Sequence, residues 1–278
     1  MGRKSSGGKS DMTKRLRVKP GTKVDLSDYD TAETWGWKQG DGLTEQLQKN
    51  LDRIDELQYV MYAENKRALL VVLQAMDAGG KDGVIRHVIT GFNAQGCRVT
   101  PFKVPTAEES SHDFLWRIHR AIPGKGNVGI FNRSHYEDLL VVRVHELVPE
   151  RVWSRRFDII NEFEKQLVDD GVSILKFFLH ISRKEQKERL EARRDDPRRN
   201  WKFSPADIAE RAYWKQYMRA YEEILTRCST SRAPWYVIPS DKKWFRNLAV
   251  SKIIVETLES MKMKMPPPQA GVSKIRIV

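Results

Sequence analysis

The stretch Gln74-Ala75-Met76-Asp77-Ala78-Gly79-Gly80-Lys81-Asp82-Gly83 has the composition to hold phosphate. It follows the apolar run Ala68-Leu69-Leu70-Val71-Val72-Leu73, which reads as a strand buried on both faces, and it opens a helical pattern. A glycine-rich turn between strand and helix points backbone N–H groups at one spot, and the helix start adds partial positive charge. Lys81 can then reach a terminal phosphate. The candidate phosphate-binding residues here are Ala78, Gly79, Gly80, Lys81, Asp82 and Gly83. The general pattern G-x-x-x-x-G-K-S/T is met incompletely, because Ala75 replaces its first Gly and Asp82 its magnesium-binding Ser/Thr. An ordinary tight turn is the competing reading, and the flanking strand and helix favour phosphate. Asp77 is unusual in such a loop. Its carboxylate would repel phosphate unless a cation lay between them, so it is a candidate magnesium ligand or a base orienting an attacking oxygen. A helix-capping role is the alternative.

A second cluster follows Val128-Gly129-Ile130-Phe131, a short apolar strand. It reads Asn132-Arg133-Ser134-His135-Tyr136-Glu137-Asp138, and active residues of open α/β sheets collect at such carboxyl strand ends. An Asp here usually helps hold magnesium in phosphate-loop enzymes. Asn132 can take a water of a hydrated ion but brings no charge, which Glu137 and Asp138 could supply. Arg133 could clamp a phosphate bidentately. A charged surface loop is the plainer reading. The candidate catalytic set is Asp77, Lys81, Arg133 and Glu137, and the candidate metal set is Asp77, Asn132 and Glu137. Six histidines show no metal-ligand spacing, so zinc is not expected.

A third signal runs from Ser182 through the arginine-rich segment to Ser204. Its first part is helical, with Glu, Lys and Arg able to pair at i,i+4, as on many solvated helix faces. It follows the fourth strand, where nucleotide kinases carry a mobile lid. Arginines there could close over phosphates and exclude water, with Arg193, Arg194 and Arg198 as candidates.

The elements that must position these groups alternate along the chain. Helices are expected from Leu43, over Asp82–Phe92, after Pro105 to Ile122, after Pro149 to Val168, and over Lys184–Arg194, Pro205–Arg227 and a closing segment to Met261. Strands are expected at Ala68–Leu73, Arg98–Phe102, Val128–Phe131, Ser173–Ile181 and Trp235–Ile238. This predicts an α/β sandwich around a mostly parallel sheet. A basic flexible arm is expected over residues 1–24, one domain over 25–261 with a lid at about 183–210, and a loose tail over 262–278. Trp35 and Trp37 should pack on the body.

The chain has 278 residues, with 49 Lys+Arg against 37 Asp+Glu and a formal charge of +12, which favours polyanionic partners. No apolar run is long enough to span a bilayer, the basic N-terminus lacks the apolar stretch of a secretory signal, and no membrane partner is expected. Two cysteines exclude a disulfide scaffold or a four-cysteine zinc site and fit a reducing cytoplasm.

Together QAMDAGGKDG, GIFNRSHYEDLLVVRVH, KERLEARRDDPRRNWKFSPAD and WKQYMRAYEEIL resemble the polyphosphate kinase 2 family, over about Asp25 to Met261. The HYEDLLVVRVH run is most similar to its class III members. The resemblance implies a three-layer α/β/α P-loop kinase-like core with a helical lid. It implies reversible, magnesium-dependent phosphoryl transfer between inorganic polyphosphate and nucleotides, taking AMP through ADP to ATP. Gly79, Gly80 and Lys81 would cradle phosphate, Asp77 would be the loop carboxylate, Arg133 belongs to the family's Arg-Ser pair, and Arg193, Arg194 and Arg198 lie on the lid side. Many members have Asp where this chain has Asn132. A cytoplasmic homo-oligomer is expected. An ATP-using nucleoside monophosphate kinase shares the core and remains an alternative. A nucleic-acid-binding protein with a degenerate phosphate loop is another, although no zinc finger or RNA-reading aromatic motif accompanies the charge.

Overall fold

The computed structural model describes residues 12–40 and 42–272. Strand β1 (Ala68–Gln74) is buried at every position. Its alternate side chains divide between two cores: Ala68, Leu70 and Val72 enter one, and Leu69, Val71 and Leu73 the other. The remaining strands are β2 (Cys97–Pro101), β3 (Val128–Asn132), β4 (Val172–His180) and β5 (Trp235–Pro239). They form a five-stranded sheet in the order β2-β3-β1-β4-β5, and every pairing is parallel. A central parallel strand must be covered on both faces, which explains the unbroken apolar run.

The first helices in chain order are α1 (Met12–Leu16), α2 (Leu43–Glu64), α3 (Lys81–His87), α4 (Ala107–Ser111), α5 (Trp116–His119) and α6 (Val141–Val144). They are followed by α7 (Glu150–Trp153), α8 (Arg156–Asp169), α9 (Arg183–Asp195), α10 (Pro205–Glu210), α11 (Trp214–Cys228) and α12 (Lys243–Ser260). Helices α1, α2, α3 and α12 supply one core, with Met12, Ile54, Val84 and Phe245 buried in it. Helices α5, α8 and α11 supply the other, with Ile118, Phe157 and Ile224. The result is three layers, α/β/α. Helix α11 buries Tyr217, Ala220, Tyr221, Ile224, Leu225 and Cys228, the i, i+3, i+4 spacing of one helical face.

Three expected helices are interrupted. The segment after Pro105 divides into α4 and α5 at His112-Asp113, where the Asp113 carboxylate accepts from Leu115 N at 2.9 Å. The segment after Pro149 divides into α7 and α8. The segment after Pro205 divides into α10 and α11 through a 3-10 turn at Arg211–Tyr213. The expected helix over Asp82–Phe92 is helical only to His87, with a 3-10 turn at Ile89–Gly91.

The flexible arm expected over residues 1–24 is corrected from Met12 onward, residues 1–11 lying outside the described ones. Met12, Leu16, Val18 and Val24 are buried, Arg17 bridges Tyr236 in antiparallel fashion, and Val18 N donates to Trp235 O at 2.9 Å. This short segment covers the β5 edge, whose N–H and C=O groups would otherwise stand unpaired. Trp35 and Trp37 do pack on the body, Trp35 lying 5.7 Å from Phe245 between ring centroids. The stretch 262–272 is irregular and mostly exposed, although Met263 packs against the core; residues 273–278 lie outside the described ones.

Candidate active site

From β1, the neighbours β3 and β4 lead to opposite sides of the sheet, so a crevice opens at their carboxyl ends, the usual ligand position of an open α/β sheet. Leu73 is in register with Asn132 of β3 and Phe177 of β4, so β1 and β3 end side by side while β4 runs on to His180. The loop 75–80 leaves from the first of these ends and Arg133 from the second.

The loop is tightly wound. Ala78 has φ +59° and Gly80 φ +116°, both left-handed. A Cβ on Gly79 would lie 2.7 Å from the Ala75 Cβ and 2.8 Å from Met76 O, so close approach of backbone to backbone requires glycine there. Lys81 folds back over the loop and donates to Ala75 O at 2.8 Å. Burial pushes its ammonium pKa below the ordinary value, Arg133 pushes the same way, and Asp77, Glu137 and Asp82 oppose. Gly83 lies within α3 and faces the buried Arg246 guanidinium, its Cβ position 2.5 Å from Arg246 Nη2. Asp82 is held at its carboxylate by Asn132 Nδ2 at 3.2 Å and faces Lys202 of the lid at 3.6 Å.

Arg133 spans the gap between the two candidate carboxylates. Its Nη2 bonds Asp77 Oδ1 at 2.8 Å and its Nη1 lies 4.0 Å from Glu137 Oε2. Gln74 Nε2 donates to the other Glu137 oxygen at 3.1 Å. Arg133 has φ +66°, so strained non-glycine backbone occurs on both sides of the crevice, at Ala78 and Arg133. The Arg133 N–H donates to Leu73 O at 3.1 Å, tying that conformation to the end of β1.

A buried polar network underlies this turn. Lys176 of β4 donates to Tyr136 Oη at 2.9 Å, Glu164 Oε2 at 2.5 Å and Cys228 O at 2.7 Å. Tyr136 Oη donates to Glu164 Oε1 at 2.8 Å, and His135 Nε2 lies 3.3 Å from the same oxygen. Burial works to raise the Glu164 pKa, but Lys176 and His135 outweigh it and hold the carboxyl below its ordinary range. Burial also pushes the His135 pKa below its ordinary value, against the pull of Glu164. His135 and Tyr136 lie between Arg133 and Glu137 in sequence, so the network anchors the turn that carries both. Next to it Asp138 pairs with Arg156 at 2.8 Å, and burial raises its carboxyl pKa to about 6 against the pull of Arg156 and Arg117.

The lid arginines divide. Arg193 pairs with Asp207 of α10 at 3.1 Å. Asp207 faces the crevice: burial raises its carboxyl first, Asp77 adds to the shift, and Arg193, Arg133 and Lys81 oppose. Arg194 pairs with adjacent Asp195, and Arg198 and Arg199 both pair with Asp196. Arg194 and Arg198 are exposed and are not brought to the phosphate loop. The lid base is held by His145, 3.0 Å from Glu210, and by Tyr217, whose hydroxyl donates to the same carboxylate at 2.7 Å.

The sequence expectations missed several residues that touch the loop. Gln186 Nε2 donates to Asp77 O at 2.8 Å, Arg189 Nη1 donates to Ala78 O at 3.1 Å, and Ser240 Oγ donates to Gly79 O at 2.6 Å. Gln186 and Arg189 lie in the charged run whose helical period marked a solvated face; their inward spacing was the available signal. Ser240 follows β5 and carried none.

Among the described residues, no cluster of three or more His, Cys, Asp or Glu is placed to hold a metal alone. Asp77 and Glu137 present hard oxygen atoms on either side of the Arg133 guanidinium. That is the arrangement in which magnesium takes one or two carboxylates and completes its shell with water and substrate phosphate, so these residues fit the ion. No described helix is long and apolar enough to cross a membrane.

The profile of the polyphosphate kinase 2 family matches residues 38–266. An AMP/ADP-polyphosphate phosphotransferase of Meiothermus ruber is 49% identical over 265 residues, covering 95% of this chain and 99% of that protein. An ADP-polyphosphate phosphotransferase of Rhodopseudomonas palustris is 47% identical over 91% of this chain and 92% of its own length. The crystal structure of polyphosphate kinase 2 from Arthrobacter aurescens superposes with a TM-score of 0.89 at 41% identity, over 95% of this chain and 94% of that one.

Proposed function

The chain belongs to the polyphosphate kinase 2 family, and from that premise we propose that it transfers phosphoryl groups from inorganic polyphosphate to nucleoside mono- and diphosphates, taking AMP through ADP to ATP. The observation that carries this reading is the single crevice that gathers the loop 75–80, Lys81 and the Asp77–Arg133–Glu137 bridge.

The transfer is direct and in line. His135 is buried in its bond to Glu164, and the thiols of Cys97 and Cys228 are pushed up by burial to about 11 and about 12, so none of them is poised as a nucleophile. The amides of the loop receive phosphate oxygens, Lys81 offsets charge on the transferred group, and Arg133 moves between the carboxylates and the phosphate that comes between them. Magnesium would be held by Asp77 and Glu137, and when bound it neutralises charge on the phosphates. Asn132 adds no charge to that set, and its amide is held by Asp82. Arg193 enters from the lid once a phosphate competes with Asp207 for it. The excess of Lys and Arg suits a long polyanion held by electrostatics. The free thiols suit a reducing cytoplasm, and exposed Tyr59 and Tyr62 on α2 offer apolar surface to a second copy of the chain.

Incubation with AMP, magnesium and polyphosphate, followed by chromatography, tests the reading. ADP should appear first and ATP after it, and chelation of the metal should stop both. Transfer from ATP but not from polyphosphate would favour a nucleoside monophosphate kinase. Glu137→Ala should change the ratio of initial rates with AMP and with ADP, because the carboxylate helps set how the acceptor phosphate is held.

A further inference from the structure

We propose that Arg189 is a positioning residue of the phosphate loop, which holds the Ala78 and Gly79 carbonyl oxygens away from the crevice so that the Gly80 amide faces the ligand. The proposal rests on the reading of residues 75–80 as the phosphate seat.

Each carbonyl from Ala75 to Gly79 has a donor of its own. Ala75 O accepts from Lys81 Nζ at 2.8 Å, Met76 O from Gly79 N at 2.9 Å, and Asp77 O from Gln186 Nε2 at 2.8 Å. Ala78 O accepts from Arg189 Nη1 at 3.1 Å. Gly79 O accepts from the same nitrogen at 3.3 Å and from Ser240 Oγ at 2.6 Å. In a planar trans peptide the C=O and the following N–H point in opposite directions, so fixing one aims the other. Arg189 therefore holds the peptides that follow Ala78 and Gly79, which lie between the left-handed Ala78 and Gly80; the first turns its N–H back onto Met76 O, and the second aims the Gly80 N–H. A non-glycine residue keeps such a conformation only where its surroundings enforce it.

Arg189 has no capacity left for a phosphate. Its Nε bonds Glu185 Oε1 at 2.8 Å, its Nη2 bonds Ser240 O at 2.5 Å and Asp241 O at 3.0 Å, and its Nη1 bonds Ala78 O and Gly79 O. These five acceptors match the five N–H donors of a guanidinium. The side chain is 9% exposed. It joins α9, the loop after β1 and the loop after β5, a task suited to a planar fork and not to the compact ammonium of lysine. The charged helix thus performs two functions: its buried Arg189 shapes the loop, and its Arg193 faces the crevice.

The test compares Arg189→Lys, Arg189→Ala and Lys81→Ala by melting temperature and by initial rates over a range of AMP and polyphosphate concentrations. Arg189→Lys should keep its fold and a KM for AMP within about twofold while kcat falls about 10²-fold, the scale of a misplaced reacting group. Arg189→Ala should regain part of its kcat when millimolar guanidinium is added at constant ionic strength, and methylammonium should not replace it. If Arg189→Ala does not fold, Gln186→Met and Ser240→Ala take its place. Each removes one donor to a loop carbonyl and should lower kcat about tenfold at unchanged KM for AMP. Wild-type kcat in Arg189→Lys, or in both substitutes, overturns the proposal, as does a folded Arg189→Ala that loses activity without guanidinium rescue. Full turnover in Lys81→Ala would instead remove the phosphate-loop reading itself. Lys81→Ala inactive with Arg189→Lys fully active sinks the positioning role alone.

Discussion

The loop 75–80 and the arginine-rich lid are held together differently. Loop contacts join residues far apart in sequence: Arg133 reaches Asp77 across 56 positions, Gln186 reaches Asp77 across 109 and Ser240 reaches Gly79 across 161. Lid contacts are mostly local. Arg194 bonds the residue after it, and Arg198 and Arg199 bond Asp196 two and three positions back. Local pairs form wherever their segment is helical or turned and say little about a ligand, and exposed ones contribute little to stability. Pairs drawn from distant segments exist only because the sheet brings the carboxyl ends of its strands side by side. The density of arginine in the lid is therefore a weaker guide to the site than the single Arg133.

The contrast can be broken or sharpened by substitution. The largest effect is expected at the network beneath the turn. Lys176→Met should cost about 3–5 kcal/mol of stability, because the buried Glu164 loses its ammonium partner. Urea unfolding measures it, and a loss below about 1 kcal/mol would show that the turn stands without the network. Lys81→Ala should lower turnover about 10²–10³-fold, equivalent to about 3–4 kcal/mol of transition-state stabilisation, with little change in melting temperature.

Asp138 gives a pH-dependent comparison. Its folded pKa of about 6 lies above the ordinary 3.8, so the folded state binds its proton more tightly than the unfolded state does. The stability this contributes is fully present below pH 3.8 and is lost as pH rises through about 6. Asp138→Asn has no such loss, and relative to wild type it should gain about 2–3 kcal/mol between pH 4 and 7. Parallel unfolding curves across that range would refute the assignment. The smallest effect is expected in the lid. Arg194→Ala and Arg198→Ala should each change turnover by no more than about twofold, since each removes an exposed local pair. A hundredfold loss from either would mean that these side chains exchange their aspartates for substrate phosphate, and the distinction between loop and lid would fail.

Much of the architecture is legible in the residues. The five strands lie within a residue or two of their expected places; β1, β3, β4 and β5 are apolar runs because a strand covered on both faces has to be apolar, whereas the edge strand β2 is largely exposed. The long helices α2, α8, α11 and α12 follow their periodicity. The breaks at Asp113 and at Arg211–Tyr213 were not visible, since each depends on a carboxylate or a turn whose partners come from the fold. The ordered segment after Met12 was missed for a related reason: its basic residues dominate the composition, while the few apolar ones that dock it, Met12, Leu16 and Val18, meet a surface made by β5 and α12.

By itself the sequence determined the place of the glycine-rich loop and its lysine between a buried strand and a helix, because glycine, lysine and apolar periodicity act over a few residues. It likewise determined that Arg133 and Glu137 would leave the end of another strand. Only the tertiary structure decided that Arg133 would bridge Asp77 and Glu137, that Lys176 would be buried beneath them, and that Arg189 and Gln186 would turn inward while Arg194 and Arg198 turned out. Side chains of one type in one helix carry the same local signal. Their roles separate when the strand order β2-β3-β1-β4-β5 places one face of α9 against the loop and leaves the other in water.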